Sequence, residues 1–581
     1  MENRNVILAI VLSLGILLGY DYFFVQPKRA IEAQRQAANT AQQTTPPSSP
    51  SSSSPAAIPR PGDAHLPGAQ PEAPGTQTSA SLAEVLSKSP RITISSPRLH
   101  GSIALRGARL DDLTLADYHQ GLSPKTPEIM LLSPRGRKGA YFAEFGWTGN
   151  GVKVPTSDTL WTADRTTLTP QTPVTLTWNN GQGLTFSRTI ALDENYMFTI
   201  SQKVQNTSNA PVTLNSYGLI SRWGTPKTTG YFILHEGPLG VFDGTLKEVK
   251  YKDLKKDPKM EQTTTGGWIG FTDKYWLAAL VPDQKEKVDT RFVHRLDGGI
   301  DKYQTDYLGA PMTVAPGASI STQDRIFAGA KEVKLLDAYK EKLGIARFDL
   351  AIDFGWFYFL TKPIFYTLIW FNEHLGNFGL AILSLTVLIK LALFPLANKS
   401  YRAMSKMKKL QPEMKKLQER FKEDKSRLNQ EMMALYKREK ANPAAGCLPM
   451  VVQIPVFFAL YKVLFVTIEM RHAPFYGWIH DLSAPDPTSV FNLFGLIPWS
   501  PPAFLLIGAW PLIMGITMWL QQRLNPQPAD PIQAKMFMFL PVVFTFMLAH
   551  FPAGLVIYWS WNNSLSILQQ WVIMRRAGVK P

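Results

Sequence analysis

Five apolar runs crowd the second half of the chain, at 377–396, 448–468, 502–522, 536–551 and 555–573. A sixth, VILAIVLSLGILLGYDYFFV, occupies residues 6–25. At 1.5 Å per residue, about 20 residues cover the ~30 Å hydrocarbon core of a bilayer. Hydrocarbon offers no partner to backbone N–H and C=O groups, so such runs restrict the chain to a membrane α-helical bundle, here of six spans. A single cysteine, Cys447, excludes an intrachain disulfide framework and a cysteine-based zinc site.

The first run ends in Tyr22, Phe23 and Phe24, where a cleaved signal would carry small residues. Residues 1–25 therefore read as an uncleaved transmembrane anchor. Residues 26–90 are rich in Pro, Ser and Ala, with few aromatics to bury, and read as a disordered linker. From 91 to 347 the apolar pattern has period two, as in VTLTW at 174–178 and MFTISQKV at 197–204, broken by turn signals such as Asn179-Asn180-Gly181. Many short strands over that length predict an all-β sandwich. A helix is expected over 331–343, and an aromatic, amphipathic one lying in the membrane interface within 348–376.

Loop charges orient the spans. Residues 397–447 hold 14 Lys and Arg against 6 Asp and Glu, half of the chain's net +16. Residues 469–501 hold one basic residue, Arg471. The positive-inside rule then places 397–447 and both termini in the cytoplasm and the β-rich domain outside. Within the basic segment Met404, Met407, Leu410, Met414, Leu417 and Phe421 form one helical stripe, continued by Leu428, Met432 and Leu435 beyond a break near 423–426. This is the pattern of an antiparallel helical hairpin. Its bases serve either to hold the topology or to meet anionic lipids or ribosomal RNA. Residues 448–581 carry spans three to six and a short tail.

Lys390 lies inside a run, about six residues and some 9 Å from the end of 377–396. An ionisable group at such depth marks a functional candidate. Thr386 lies one turn earlier, Gln453 in the third span, and Tyr558, Trp559, Asn562, Asn563 and Gln569 in the sixth. Together they outline a polar, cytoplasm-open groove, or else tight interhelical hydrogen bonding. Pro395 is expected to free the Leu391 carbonyl nearby. No cofactor, metal or catalytic constellation is legible.

Several strings resemble the YidC family of membrane protein insertases: Phe394-Pro395-Leu396, Leu410-Gln411-Pro412, QEMMALY at 430–436, NPAAGCLP at 442–449, Gln453-Ile454-Pro455, WIHDLS at 478–483 and FPAGL at 551–555. The resemblance implies a five-span insertase core behind the anchor, and a periplasmic domain in the bacterial inner membrane. It implies a non-enzymatic activity: passing hydrophobic segments of nascent membrane proteins from the groove into the bilayer, alone or with the Sec translocon. The ribosome would be met by the hairpin and loops. It also implies that Lys390 stands where the family usually has arginine, and that Trp559 stands where it has a tyrosine. A secondary transporter and a membrane-anchored periplasmic binding protein are the competing readings.

Overall fold

The computed structural model describes residues 81–581 except 231–233, 356, 423, 440–447, 500, 503–504, 526–530, 577 and 579–581. The anchor at 1–25, most of the 26–90 linker and Cys447 lie outside the described residues. The linker's last residues are not irregular: a short helix, α1 (Leu82–Leu86), is capped by the Ser81 hydroxyl, which accepts the Glu84 N–H, and tucks in Val85.

Residues 91–330 form two packed sheets, with eleven and nine strands among the described residues. The larger is centred on Ile300–Leu308, Val212–Trp223, Tyr141–Thr148 and Arg109–His119, the smaller on Trp276–Val281, Ser319–Ala330, Met197–Asn206 and Leu184–Leu192. The period of two has its expected consequence in Leu184–Leu192, where Leu184, Phe186, Arg188, Ile190 and Leu192 all turn inward. Arg188 is tolerated there because it donates to the Ala108 carbonyl at 3.2 Å, to the Phe145 carbonyl, and to Gln202 Oε1 at 3.2 Å. A small helix, α2 (Tyr251–Lys256), covers one end through Tyr251 and Leu254.

The chain leaves the sandwich through α3 (Val333–Lys342) and a turn of 3₁₀ helix, Phe348–Ala351. Phe348 is buried against Trp268 and Phe327, so the segment expected at the interface begins inside the sandwich. Helix α4 (Tyr358–Leu375) follows, burying Ile364, Phe365, Leu368 and Ile369 while Phe359 and Trp370 remain exposed. Lys362 Nζ ties it to Asp337 on α3 at 2.8 Å and to Asp349 at 3.1 Å.

Then come α5 (Phe378–Ala392), α6 (Phe394–Arg420), α7 (Lys425–Arg438), α8 (Leu448–Val466), α9 (Ala509–Leu524), α10 (Pro531–Leu548) and α11 (Ala553–Arg576). The second apolar run is not one helix: α5 and α6 meet at Leu393 with a bend of 68°. Pro395 falls in the first turn of α6, where its missing N–H costs nothing, and the Leu391 carbonyl expected to be free faces the Leu393 N–H. In the fourth run the α-helix α9 begins at Ala509. Among the described residues no single helix is long and apolar enough to cross a bilayer alone, whereas α5 and α6 are so as a bent pair. Helices α6 and α7 pack through Leu410, Met414, Met432 and Leu435. The Asp424 carboxylate accepts the Arg427 N–H at 2.9 Å and starts α7.

Sandwich and helices share one apolar core. It runs from the strands through Phe348 and Phe365 to Leu385, Val463 and Ile557. Polar contacts fasten the seam: Lys462 Nζ lies 2.6 Å from Asp353, and Arg471 donates to the His119 carbonyl at 2.5 Å.

In the sandwich interior Asp324 is buried, its Oδ2 without a hydrogen bond among the described residues, and burial pushes its carboxyl from 3.8 up to about 7. Between those values the unfolded chain loses a proton that the folded one keeps, so stability falls as pH rises through that window. Asp324→Asn should therefore stabilise the protein by a few kcal/mol above about pH 7 and change little below about pH 4. Urea unfolding in detergent, followed by tryptophan fluorescence at both pH values, checks this.

Candidate functional site

The break at Leu393 leaves Lys390 on the last turn of α5, closer to the helix end than a continuous 377–396 helix would place it. Its side chain does not stretch out of the bundle. Lys390 Nζ donates to Ser566 Oγ on α11 at 2.8 Å. That partner is a neutral hydroxyl, so the contact takes up one of the ammonium's three donors without cancelling its charge. Ser566 in turn donates to the Asn562 carbonyl at 2.8 Å. Thr386 is buried on the same helix as Lys390 and donates to the Ile382 carbonyl at 2.7 Å, which fixes its rotamer. The Trp561 indole donates to the Leu383 carbonyl at 3.3 Å and closes α11 onto α5.

Helix α11 sorts the remaining predicted residues onto two faces. Tyr558, Asn562 and Ser566 are spaced by four and share one stripe. Tyr558 is buried with its hydroxyl against the Gln453 side chain of α8. Asn562 Oδ1 is buried without a partner among the described residues. Lys390 thus meets α11 at Ser566 and Gln453 meets it at Tyr558, two turns along the same stripe, while Thr386 turns back onto its own helix.

Asn563 does not join them. It points to α9, where Nδ2 donates to Thr517 Oγ1 at 3.3 Å, an interhelical bond of the kind that holds bundles together. Trp559 packs edge-on to Phe457 of α8 at 4.9 Å and against Phe544 of α10 at 5.8 Å, so it bridges helices rather than lining the Lys390 stripe. The buried glutamine near the end of α11 is Gln570, which donates to Asn525 Oδ1 at 3.1 Å, and not Gln569.

Ser566 escaped the sequence reading, although spacing of four from Asn562 was the available signal. Thr517 had none, since a lone threonine in an apolar run is unremarkable. No group of His, Cys, Asp or Glu that could hold a metal occurs among the described residues.

The chain compares closely with known proteins. Residues 91–367 match the family model "YidC periplasmic domain" and residues 370–580 the model "60Kd inner membrane protein". "Membrane protein insertase YidC" of Methylorubrum extorquens (strain PA1) is 53% identical over 100% of this chain and 96% of its own length. The protein of the same name from Rickettsia bellii (strain OSU 85-389) is 50% identical over 99% of each. A solved structure described as "Active YidC insertase crystal structure with the first transmembrane domain resolved" aligns with 82% of this chain and 92% of its own, at 18% identity and a TM-score of 0.34. The sandwich and helical region belong to the class of inner-membrane proteins with a periplasmic β-domain. The chain belongs to the YidC family of membrane protein insertases.

Removing Ser566 Oγ should weaken the hold on Lys390. A double-mutant cycle of Lys390→Met and Ser566→Ala, read from unfolding in detergent, should return a coupling of about 1.5–3 kcal/mol. Coupling near zero would place the ammonium in solvent.

Proposed function

We propose that the chain inserts nascent membrane proteins by offering their polar flanks a hydrated site around Lys390 while their apolar segments slide into lipid. The observation that carries this reading is the Lys390 ammonium, turned into the bundle and bonded to a neutral hydroxyl. Its charge remains available to an acidic residue of a client. Lysine supplies a point charge and not a planar fork, so the reading needs attraction and no bidentate geometry.

The driving force belongs to the client. About 20 apolar residues at roughly −0.3 to −0.6 kcal/mol each give on the order of −6 to −12 kcal/mol. The membrane potential adds about 2.3 kcal/mol per acidic charge per 100 mV moved outward. No covalent step is required. Polar flanks too long for these terms would need the Sec translocon. In this reading six spans cross the inner membrane, both termini are cytoplasmic, and α4 lies at the outer interface. The α6–α7 hairpin meets ribosomes or anionic headgroups from the cytoplasm.

Lys390→Arg should insert clients normally, whereas Lys390→Ala should fail for clients with acidic tails. Protease protection of the tail in a depletion strain measures both, and normal insertion by the Ala variant excludes the charge mechanism. A chain of residues 350–581 behind a signal anchor should complement that strain. Rescue by the soluble sandwich instead would favour a membrane-anchored binding protein.

A further inference from the structure

We propose that residues 490–499, between α8 and α9, form a hydrophobic wedge seated in the lipid of the outer leaflet; this rests on the membrane-spanning reading above. The tip exposes Phe491, Leu493, Phe494, Leu496, Ile497 and Trp499, with Leu496 at 84%. A soluble surface rarely shows so many large apolar side chains in one short loop without a covering partner.

The stem is built to hold that tip out. Asp486, buried, accepts from the Trp478 indole at 3.1 Å, the Thr488 N–H at 3.0 Å and the Thr488 hydroxyl at 2.7 Å, while its second oxygen takes the Trp510 N–H at 2.9 Å. Ser489 Oγ donates to the Leu505 carbonyl at 3.1 Å, and the Val490 N–H to the Ile507 carbonyl at 3.0 Å. Leu493 and Phe494 both adopt left-handed backbone, φ 48° and 57°, a conformation that bulky residues rarely take. A water-exposed loop would gain by relaxing it and collapsing its side chains. In lipid, outward side chains are the favourable ones.

Two observations choose lipid over a protein partner. From residue 487 to 522 there is no Asp, Glu, Lys, Arg or His, so the tip lacks the charged and polar rim by which protein interfaces fix register. The exposed apolar surface also continues onto α9 through Ile513, Ile516, Trp519 and Leu520. An aromatic such as Trp499 at the edge of such a surface suits the headgroup boundary.

The full chain carries one cysteine, which allows a clean test. In a Cys447→Ser background, Leu496→Cys, Ile516→Cys and Thr245→Cys are each labelled with an environment-sensitive dye. They are reconstituted into vesicles of phosphatidylethanolamine and phosphatidylglycerol. The label at 496 is expected to emit to the blue of that at 245 and to be quenched by lipids spin-labelled near the headgroup. The label at 516 is expected to be quenched by lipids labelled deeper in the acyl chain. Quenching at 516 with a water-like label at 496 overturns the wedge and leaves the span. A water-like label at both overturns the membrane reading beneath it. Disulfide-linked copies through the unlabelled Leu496→Cys thiol, with no lipid quenching, overturn the wedge in favour of self-association.

Discussion

An ammonium placed among apolar helices is stable only where the protein supplies the solvation that water would have given. Lys390 meets part of that requirement with Ser566 on α11, and the surrounding geometry supports this contact. Helix α11 must lie against α5, which the Trp561 bond to the Leu383 carbonyl enforces. Thr386 is held away from competition by its bond to the Ile382 carbonyl. The 68° bend at Leu393 brings the charge to a helix end, where a polar environment is less costly than at mid-span. A carboxylate at Ser566 would solvate the amine better and would also neutralise it. A hydroxyl solvates without neutralising, which is the property that a site for transient acidic guests requires.

The outer domain is not a free-swinging attachment on these helices. Its apolar core continues into theirs, and the seam carries charged contacts as well: Lys462 to Asp353, Lys362 to Asp337 and Asp349, Arg471 to the His119 carbonyl. Lys462 sits near the C-terminal end of α8, the helix that also brings Gln453 to Tyr558. Asp353 also accepts the His235 N–H at 3.2 Å, so this carboxylate ties α8 to the sandwich. Lateral movement of α8 away from α11 would have to break the Lys462 contact or carry the sandwich with it.

Much of this was legible in residue order. Period-two alternation announced the strands, and the methionine–leucine stripe announced the hairpin now seen packed through Leu410, Met414, Met432 and Leu435. Lys390 stood out because an ionisable group within an apolar run is a functional candidate, although Lys462, in another run, serves an ion pair with Asp353. What misled were features whose outcome depends on tertiary partners. A proline at 395 can free a carbonyl or open a new helix, and the bend decided for the second. Asn562 and Asn563 are neighbours in sequence, but 100° of helix rotation sends one toward the Lys390 stripe and the other to Thr517. Gln569 and Gln570 were separated in the same way. Periodicity finds faces; it does not say which neighbour each face will meet.

The energetics assign the work. Partition of a client's apolar segment is favourable by several kcal/mol with no help from a protein, so the obstacle is the polar flank and the barrier to moving it. A protein that lowers this barrier needs no fuel-binding loop; it needs to shorten the dry path from both sides. The break at Leu393 and the Lys390 stripe bring polar groups into the bundle, on the cytoplasmic side in the proposed function. Between α8 and α9 an apolar tip stands exposed on a stem held by Asp486, and the proposed wedge would seat it among lipid headgroups. A flank attracted inward at one surface and released through loosened lipid at the other crosses less hydrocarbon than in an undisturbed bilayer. Each residue of path removed counts more for a charged side chain than for a neutral one, so in the proposed function the gain would be greatest for acidic tails.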